Sequence, residues 1–417
     1  MTGALDGLKV LDVSQVAAVP MTARFLADFG AEVIHVEHPT RGDSMRALQG
    51  MITDTIPGLA TDIEYIWHNY NRNKKGLALD LSHEAGRKII YQLVEKADVF
   101  LSNLRPFELE KFGVGYDTLS GLNERLIYGN LTGYGKLGDD KNVPAYDGTA
   151  YYARAGISYR MTAPGMPPAG GIGAFGDNAA GLALYSGVMT ALYARERTGI
   201  GQEINVSLFQ TGLYQLSFEL SGTLATRKDY LEELFLAHPE WEPGIDRRET
   251  ARNPMALPYK TKDGRWFLLA ALQSDNYWAK LCRAIERDDL EQDPRFRSAE
   301  VRTENCADLF HLLEETFMSK TLVEWKAVMT ELPFAPYQNY HEVIADSQAR
   351  ANGFFAPLEH PTQGPIEVVA NPINLSKTPA TTRTPAPDLG QHTTEILIEC
   401  GYTREDIEEL TRRGTVA

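Results

Sequence analysis

Residues 9–37, KVLDVSQVAAVPMTARFLADFGAEVIHVE, decide the predicted fold because they join a strand, a helix and a second strand. Lys9–Val13 is a short apolar run of strand length, Met21–Phe29 has a helical pattern, and Ala31–Glu37 is a second apolar run. Gly30 stands at the position just past a helix end that glycine often occupies. A strand–helix–strand unit of this kind indicates a parallel sheet.

Strands and helices continue to alternate from this unit to residue 208. Gly76–Leu81, Val99–Ser102 and Leu126–Leu131 are further predicted strands, and an amphipathic helix runs from a Ser82 cap to about Lys96. Residues 46–62 have only a weak pattern, which predicts a loop. The alternation predicts an α/β protein whose large domain is a Rossmann-like, doubly wound sheet.

The second half of the chain predicts a smaller domain between two linkers. Residues 1–221 form the predicted N-terminal part of the large domain, and the charged, aperiodic residues 222–254 form a linker. Residues 255–330 predict a small α+β domain that opens with a hairpin turning at residues 262–264. Residues 331–417 predict a second linker, with proline-rich loops over 353–390, and a C-terminal return to the large domain.

Composition restricts the classes of partner. The 417 residues carry a formal net charge of −15, which argues against nucleic acid as the main partner because a phosphate backbone needs a broad basic face. No apolar run reaches the length of a membrane span, and the N-terminus resembles a strand rather than a secretory signal. Cys282, Cys306 and Cys400 are too far apart for a metal cluster or a disulfide framework. We therefore expect a cytoplasmic protein with no metal site and no membrane association.

The glycine-rich stretch 170–181, GGIGAFGDNAAG, precedes a helical pattern that runs from about Asn178 to Arg197. It matches the G-x-G-x-x-G motif of dinucleotide sites. A proline- and glycine-rich loop precedes it, however, where such a site needs a strand. The match therefore does not predict a nicotinamide or flavin site.

Asp177 in this stretch has two interpretations. By pattern it is a helix cap, the commoner role of an aspartate in this position. Alternatively it is a nucleophile. Gly176 and Gly181 allow close backbone approach, and the helix N-terminus would keep the carboxylate ionised and supply N–H donors to an oxyanion. An ionised, partly desolvated carboxylate can attack an activated acyl group.

Basic and amide side chains cluster near two strand ends. They indicate either solvated surface or a local seat for phosphates, and they are Arg72, Lys74, Lys75, Arg105 and Lys111, with Asn71, Asn73 and Asn103 among them. Tyr146 and Asp147 follow a proline-containing loop. Asp147 is either an acid/base partner of Asp177 or a structural hydrogen-bond acceptor, and the sequence leaves both roles open.

Eight segments, in this order, carry a family resemblance. They are residues 7–43, NRNKKGLALDL (71–81), ADVFLSNLRPFELEKFGV (97–114), TGYG (132–135), YDGTAYYARAG (146–156), GDNAAG (176–181), NPMALPYKTKDGRWF (253–267) and GYTREDIEEL (401–410). Together they resemble the class III CoA-transferases of the CaiB/BaiF type. The pattern is most similar to members that act on aryl- or branched 2-hydroxyacyl-CoA.

The resemblance implies an interlocked homodimer with the CoA-transferase family III fold. It also implies that Asp177 forms a mixed anhydride with the donor acyl group and then a thioester with CoA. Such chemistry retains the energy of the thioester, so CoA and acyl-CoA are substrates and no tightly bound cofactor is expected. The resemblance, together with the basic pattern, implies CoA contacts at Val16, Ala18, Arg72, Asn73, Lys75, Asn103, Leu104, Arg105 and Lys111. It implies an acyl site at Gln15, Ala17, Tyr146 and Asp147.

Departures from the family pattern bear on the substrate. Ala17 stands where oxalate-type relatives commonly carry glutamine, and their glycine-rich lid is absent from residues 225–260. Both favour a larger, less polar acyl group. Two alternative functions remain, a 2-methylacyl-CoA racemase and a non-catalytic acyl-CoA binder. The racemase branch uses a histidine where this chain has Tyr146, and a tyrosine is a poor substitute for that base at neutral pH.

Overall fold

A computed structural model of the chain describes residues 3–163, 165–237 and 248–417. Its strands are β1 (Lys9–Val13), β2 (Glu32–Glu37), β3 (Lys75–Ala78), β4 (Val99–Ser102), β5 (Ile127–Thr132), β6 (Glu203–Ser207), β7 (Pro258–Lys260), β8 (Trp266–Leu269), β9 (Phe334–Pro336), β10 (Phe355–His360) and β11 (Gly364–Val369). The helices of the first half are α1 (Ala18–Asp28), α2 (Met45–Thr55), α3 (Tyr65–Asn71), α4 (Glu84–Val94), α5 (Pro106–Phe112), α6 (Tyr116–Leu122), α7 (Ile157–Met161), α8 (Phe175–Thr198) and α9 (Leu208–Gln215). Those that follow are α10 (Ser217–Thr226), α11 (Tyr230–Ala237), α12 (Ser274–Ala284), α13 (Ala299–Glu304), α14 (Cys306–Phe317), α15 (Leu322–Val328), α16 (Tyr340–Ala345), α17 (Ser347–Ala351), α18 (Thr393–Glu399) and α19 (Arg404–Arg412).

The chain divides into two compact units. One contains Met1–Glu233 and Asn352–Ala417, and the other contains Leu234–Ala351. Within the predicted linker over 222–254, the structure has the end of α10 and the whole of α11. Residues 238–247 of that predicted linker lie outside the described residues.

The first unit is built on a six-stranded parallel sheet with the order β3-β2-β1-β4-β5-β6. The strand order reverses between β1 and β4, so the prediction of a Rossmann-like, doubly wound sheet is confirmed. Neighbouring residues of β1 serve opposite faces. Leu11 belongs to one buried cluster with Leu77 and Phe100, whereas Val10 belongs to another with Leu184. Burial on both faces explains why apolar residues occupy both faces of most of these strands.

Helices α1 and α8 pack closely on one face of this sheet. Every residue of α1 is buried, and a Cβ added at Gly181 of α8 would lie 2.5 Å from the carbonyl oxygen of Ala18. The Thr22 hydroxyl donates to the Gly181 carbonyl oxygen at 2.8 Å. Gly181 therefore allows the two backbones to touch and fixes α8 against the first turn of α1.

The second unit is α+β, as predicted. Strands β7, β8 and β9 form an antiparallel sheet, and the β7–β8 turn contains Gly264 with φ +75°. Its core contains Tyr259, Phe267, Phe317 and Trp325, whose rings pack against one another. A capping box at Thr321 begins α15.

Three local predictions are wrong. Residues 45–55 form α2 instead of a loop, and β10 pairs with β11 in an antiparallel hairpin where proline-rich loops were expected. Helix α4 begins at Glu84 after an extended His83, so Ser82 is not its cap. None of the helices in the described ranges has the length and apolarity that a bilayer crossing requires.

Candidate active site

Asp177 lies inside the first turn of α8, not at its cap. Ala174 is the residue before the helix and has a left-handed backbone with φ +58°, so Asp177 is the third helical residue. The interpretation of Asp177 as a helix cap is therefore wrong. Its half-buried carboxyl group instead lines a cavity.

Asp147, rather than Asp177, binds the N-terminus of α8. Its Oδ2 accepts the N–H of Gly176 at 3.2 Å. A Cβ added at Gly176 would lie 2.2 Å from Asp147 Oδ1, so only glycine leaves room for this carboxylate. Asp147 directly precedes a π-helical stretch, Gly148–Arg154, which packs on α9. A carboxylate at this position interacts favourably with the positive end of the α8 dipole.

Burial and the negative charge of Asp147 raise the pKa of Asp177 to about 7. Burial likewise raises the pKa of Asp147. The expectation that the helix N-terminus keeps Asp177 ionised is therefore wrong, because Asp147 takes the helix donors and adds a like charge. The Tyr70 hydroxyl donates to Oδ1 of Asn178, the residue after Asp177, at 3.1 Å. Burial, followed by the charge of Asp177, raises the pKa of Tyr70.

The cavity beside Asp177 has a volume of about 930 Å³ and is largely apolar. Three elements of the first unit supply most of its side chains: Met45, Leu48 and Ile52 from α2; Tyr65, Ile66, Asn69 and Tyr70 from α3; and Ile366, Glu367, Val368 and Val369 from β11. Val16, Ala17, Tyr146 and Asp147 line it as well, and Tyr146 is 71% exposed. Three residues predicted for the acyl site thus meet at Asp177. The fourth, Gln15, lines a neighbouring cleft.

Val16 joins this cavity to the end of β1 through a strained turn. Its φ is +69°, a left-handed conformation that is unfavourable for a β-branched residue. The Asp43 carboxylate accepts the Val16 N–H with both oxygens, at 3.0 and 3.1 Å, and also accepts the N–H of Met45 at 2.8 Å. Asp43 therefore holds the turn and the start of α2 together.

A buried ionic network lies beneath the turn. Asp12 accepts from Lys74 Nζ and pairs with His35 Nδ1, both at 2.8 Å, and Ser14 also donates to it. These partners hold the pKa of Asp12 far below its usual value although burial opposes them. Lys74 also donates to the carbonyl oxygen of Pro20 at 2.9 Å. Because Lys74 is buried and fully engaged, it is unavailable as a phosphate ligand, contrary to the basic pattern.

Arg72, Asn73 and Lys75 line neither the cavity nor the cleft. Arg72 is fully buried, pairs with Asp28 at 3.1 Å and donates to the Val369 carbonyl oxygen at 3.0 Å. This burial contradicts the predicted contact between Arg72 and CoA, and it gives Arg72 a structural role at the end of β11.

Asn73 and Lys75 are likewise engaged within the chain. The Asn73 amide donates to Asp28 at 2.7 Å and to the Thr381 carbonyl oxygen at 2.8 Å. Lys75 is paired with Glu395 at 2.7 Å. The structure therefore does not bring these two predicted CoA contacts to the point where the strand order of the sheet reverses.

A second cavity, a cleft of about 310 Å³, opens at the carboxyl ends of β1 to β4, where the strand order reverses. Gln15 and Asn103 face each other across this point. The Gln15 N–H donates to Asn103 Oδ1 at 3.0 Å, and Asn103 Nδ2 donates to the Gln15 carbonyl oxygen at 2.7 Å. Ligands of open α/β sheets bind at such a reversal. Leu104 also lines the cleft.

Two exposed cations, Arg41 and Lys111, line the cleft, together with His38 and the carboxylate of Asp80. Lys111 was predicted, whereas Arg41 was missed. The signal for Arg41 was its place in HPTRGD, a proline- and glycine-containing loop directly after a strand. Arg105, also predicted, is engaged by Glu108 at 3.1 Å in the capping box of α5.

The comparisons with known proteins cover nearly the whole chain. The family model described as CoA-transferase family III matches residues 5–393. The chain is 36% identical to (R)-2-hydroxy-4-methylpentanoate CoA-transferase of Clostridioides difficile, over 97% of each protein. It is 32% identical to cinnamoyl-CoA:phenyllactate CoA-transferase of Clostridium sporogenes, over 99% of this chain and 97% of that protein. A solved CAIB/BAIF family protein from Brucella suis is similar with a TM-score of 0.78 and 28% identity, over 96% of this chain and all of that one.

Proposed function

The chain belongs to CoA-transferase family III, and on that premise we propose that it moves CoA from an acyl-CoA donor to a carboxylic acid through intermediates on Asp177. The observation that carries this proposal is the half-buried Asp177 carboxyl group on the wall of a large apolar cavity. Burial and the charge of the neighbouring Asp147 raise the pKa of this carboxyl group to about 7.

In the proposed first half-reaction, the Asp177 carboxylate attacks the donor thioester carbonyl. The C–S bond breaks, CoA thiolate leaves, and a mixed anhydride forms. The thiolate then attacks the Asp177 carbonyl, which releases the donor acid and leaves an aspartyl-CoA thioester. The raised pKa supports this role, because a more basic and less hydrated carboxylate is a better nucleophile.

The second half-reaction reverses these steps with another acid. The acceptor carboxylate attacks the Asp177 thioester carbonyl and expels CoA thiolate, which gives a second anhydride. The thiolate attacks the acceptor carbonyl of that anhydride, so the new acyl-CoA forms and Asp177 is regenerated. The apolar walls of the cavity favour transfer over loss of the anhydride to water.

We place the CoA phosphates in the cleft at the sheet reversal. Arg41 and Lys111 are exposed cations that suit phosphate groups in a chain of net charge −15. Gln15 lines the cleft and the next residue, Val16, lines the cavity, so one extended molecule can occupy both. Asn103 and Leu104 border this path, and Ala18 begins the helix beside it.

Covalent trapping tests the proposal. The protein is incubated with an acyl-CoA, quenched with hydroxylamine, and mapped by mass spectrometry for an aspartyl hydroxamate. We expect the adduct on Asp177 and its loss, with all transfer, in Asp177→Ala. Asp117→Ala is the matched control, because Asp117 is also in the first turn of a helix but is exposed. Full exchange activity in Asp177→Ala would rule out the proposed nucleophile.

We further propose that the protein is an interlocked homodimer. Tyr214 and Phe218 of α9 and α10 are 75% and 78% exposed, and exposed aromatic side chains of this kind favour a partner surface. Sedimentation analysis is expected to give the mass of a dimer. If the subunits interlock, tagged and untagged dimers will exchange subunits only after unfolding; rapid exchange would contradict the interlocking.

A further inference from the structure

One wall of the cavity is a stripe of apolar side chains on α2, in contrast to the carboxyl group of Asp177. Met45, Leu48 and Ile52 recur at the three- and four-residue spacing that places side chains on one helix face. Ile366 and Val368 of β11 add a second apolar surface. The sequence predicted neither α2 nor β11, so only the structure reveals this wall.

The charge of the cavity is entirely negative among the described residues that line it. Asp147 and Asp177 contribute carboxyl groups near the site of transfer, and no Lys, Arg or His is among those lining residues. The nearest arginine of α2, Arg46, is held by Glu37 through two contacts at 2.8 Å and stacks over the Trp67 ring at 3.8 Å. It is therefore committed elsewhere.

A second carboxylate on an acyl group would meet unfavourable surroundings here. It would lose its hydration against apolar side chains, find no cation, and stand near like charges. An uncharged branched or aromatic group would lose no hydrogen bonds and would bury apolar surface. The volume of about 930 Å³ lies toward the upper end of the ~300–1,000 Å³ typical of ligand pockets, so an aryl group fits.

We propose that this cavity selects uncharged apolar acyl groups, branched aliphatic or aryl, and rejects dicarboxylic acyl groups, with Leu48 and Ile52 of α2 as specificity-determining residues. The proposal rests on the proposed function, because it assigns the acyl group to the cavity that contains Asp177. The proposal adds the class of acid, which the transfer chemistry alone does not determine.

A matched pair of thioesters tests this selection. 4-Methylpentanoyl-CoA and glutaryl-CoA have main chains of equal length and end in an isopropyl group and a carboxylate, respectively. We expect kcat/KM to be at least ~100-fold higher for 4-methylpentanoyl-CoA, because a like-charged, desolvated group costs several kcal/mol at ~1.4 kcal/mol per tenfold change. Equal kcat/KM values for the two thioesters would overturn the inference and leave the transferase intact.

Adding a cation to the wall tests its position. Ile52→Arg is expected to raise the glutaryl-CoA to 4-methylpentanoyl-CoA ratio at least ~10-fold, because it supplies the missing counter-charge. Met51→Arg is the matched control, since Met51 is on the same helix, is 66% exposed and does not line the cavity. An unchanged ratio in Ile52→Arg, or an equal change in Met51→Arg, would overturn the assignment of this wall.

Binding separates failure of the inference from failure of the proposed function. Calorimetry with two unreactive CoA thioethers, 4-methylpentyl-CoA and 4-carboxybutyl-CoA, measures selection without chemistry. Tighter binding of 4-methylpentyl-CoA with no turnover of any thioester would support the selection while refuting the transfer. Equal binding of the two thioethers would refute the selection whether or not CoA is transferred.

Discussion

Replacing Asp147 with asparagine tests the electrostatic control of Asp177 most directly. The substitution removes the like charge that helps to raise the pKa of Asp177, and it retains a side-chain oxygen that can accept the Gly176 N–H. The pKa of Asp177 should therefore fall while the start of α8 is preserved. It should not fall to the ordinary value, because burial, the larger cause, remains.

The size of the effect follows from the ionised fraction. With a pKa of about 7, Asp177 is about one tenth ionised at pH 6, half at pH 7 and about nine tenths at pH 8. If the carboxylate is the nucleophile, kcat/KM for the donor rises about fivefold between pH 6 and pH 7 and less than twofold from pH 7 to pH 8. Asp147→Asn should move the midpoint to lower pH and raise activity at pH 6, relative to pH 8, by at most about tenfold.

The assay is the initial rate of CoA release from a donor acyl-CoA, measured as kcat/KM between pH 5 and pH 9. Asp117→Asn removes an exposed aspartate from another helix start and should reproduce the wild-type profile. A wild-type profile that is flat from pH 5 to pH 8 would refute the raised pKa. An unchanged midpoint in Asp147→Asn would refute the coupling between the two carboxyl groups.

Three further predictions concern Asp177, the buried Asp12–Lys74 pair and the cleft. Asp177→Asn should raise the melting temperature at pH 8 but not at pH 3.5. The reason is that a carboxyl group whose pKa is raised in the folded protein lowers the stability of the fold as the pH rises from about 4 through 7. Equal melting curves of wild type and variant at pH 8 would contradict this. Lys74→Met should lower the free energy of unfolding by about 3–5 kcal/mol in urea titrations, since it leaves the Asp12 carboxylate buried without its ammonium partner, and a loss below about 1 kcal/mol would contradict that pairing. Arg41→Gln combined with Lys111→Gln should raise KM for acyl-CoA about tenfold or more, weaken its dependence on salt and leave the melting temperature unchanged; an unchanged KM would move the phosphate site elsewhere.

The sequence predicts the parallel sheet because its strands are continuous apolar runs that local pattern can identify. It does not predict α2, although Met45, Leu48 and Ile52 have helical spacing, because Gly50 and threonines weaken the pattern around them. The β10–β11 hairpin is hidden for a different reason. Proline normally argues against a strand, and it is tolerated here because the sheet has only two strands, both of them edges.

Site residues were predicted less well where their role depends on a distant partner. Arg72 and Lys74 stand in one basic run, yet each is neutralised by a carboxylate that comes 44 and 62 positions earlier, Asp28 and Asp12. The sequence predicted that the helix N-terminus keeps Asp177 ionised, but burial raises the pKa of Asp177 and Asp147 takes the helix donors. Local pattern identifies chemically capable side chains, whereas long-range pairing decides which of them are free to meet a substrate.

The return of residues 352–417 to the first unit has a consequence for biosynthesis. The Trp67 indole donates to the Pro387 carbonyl oxygen at 3.0 Å, the Gly76 carbonyl oxygen accepts the His392 N–H at 3.0 Å, and Leu79 forms a bridge with Val416. The ribosome must synthesise all of residues 234–351 before these partners emerge, which takes on the order of 10 s at ~5–20 residues per second. The nascent chain therefore holds the β3 side of its sheet uncovered throughout that interval, and chaperone binding during translation should concentrate there.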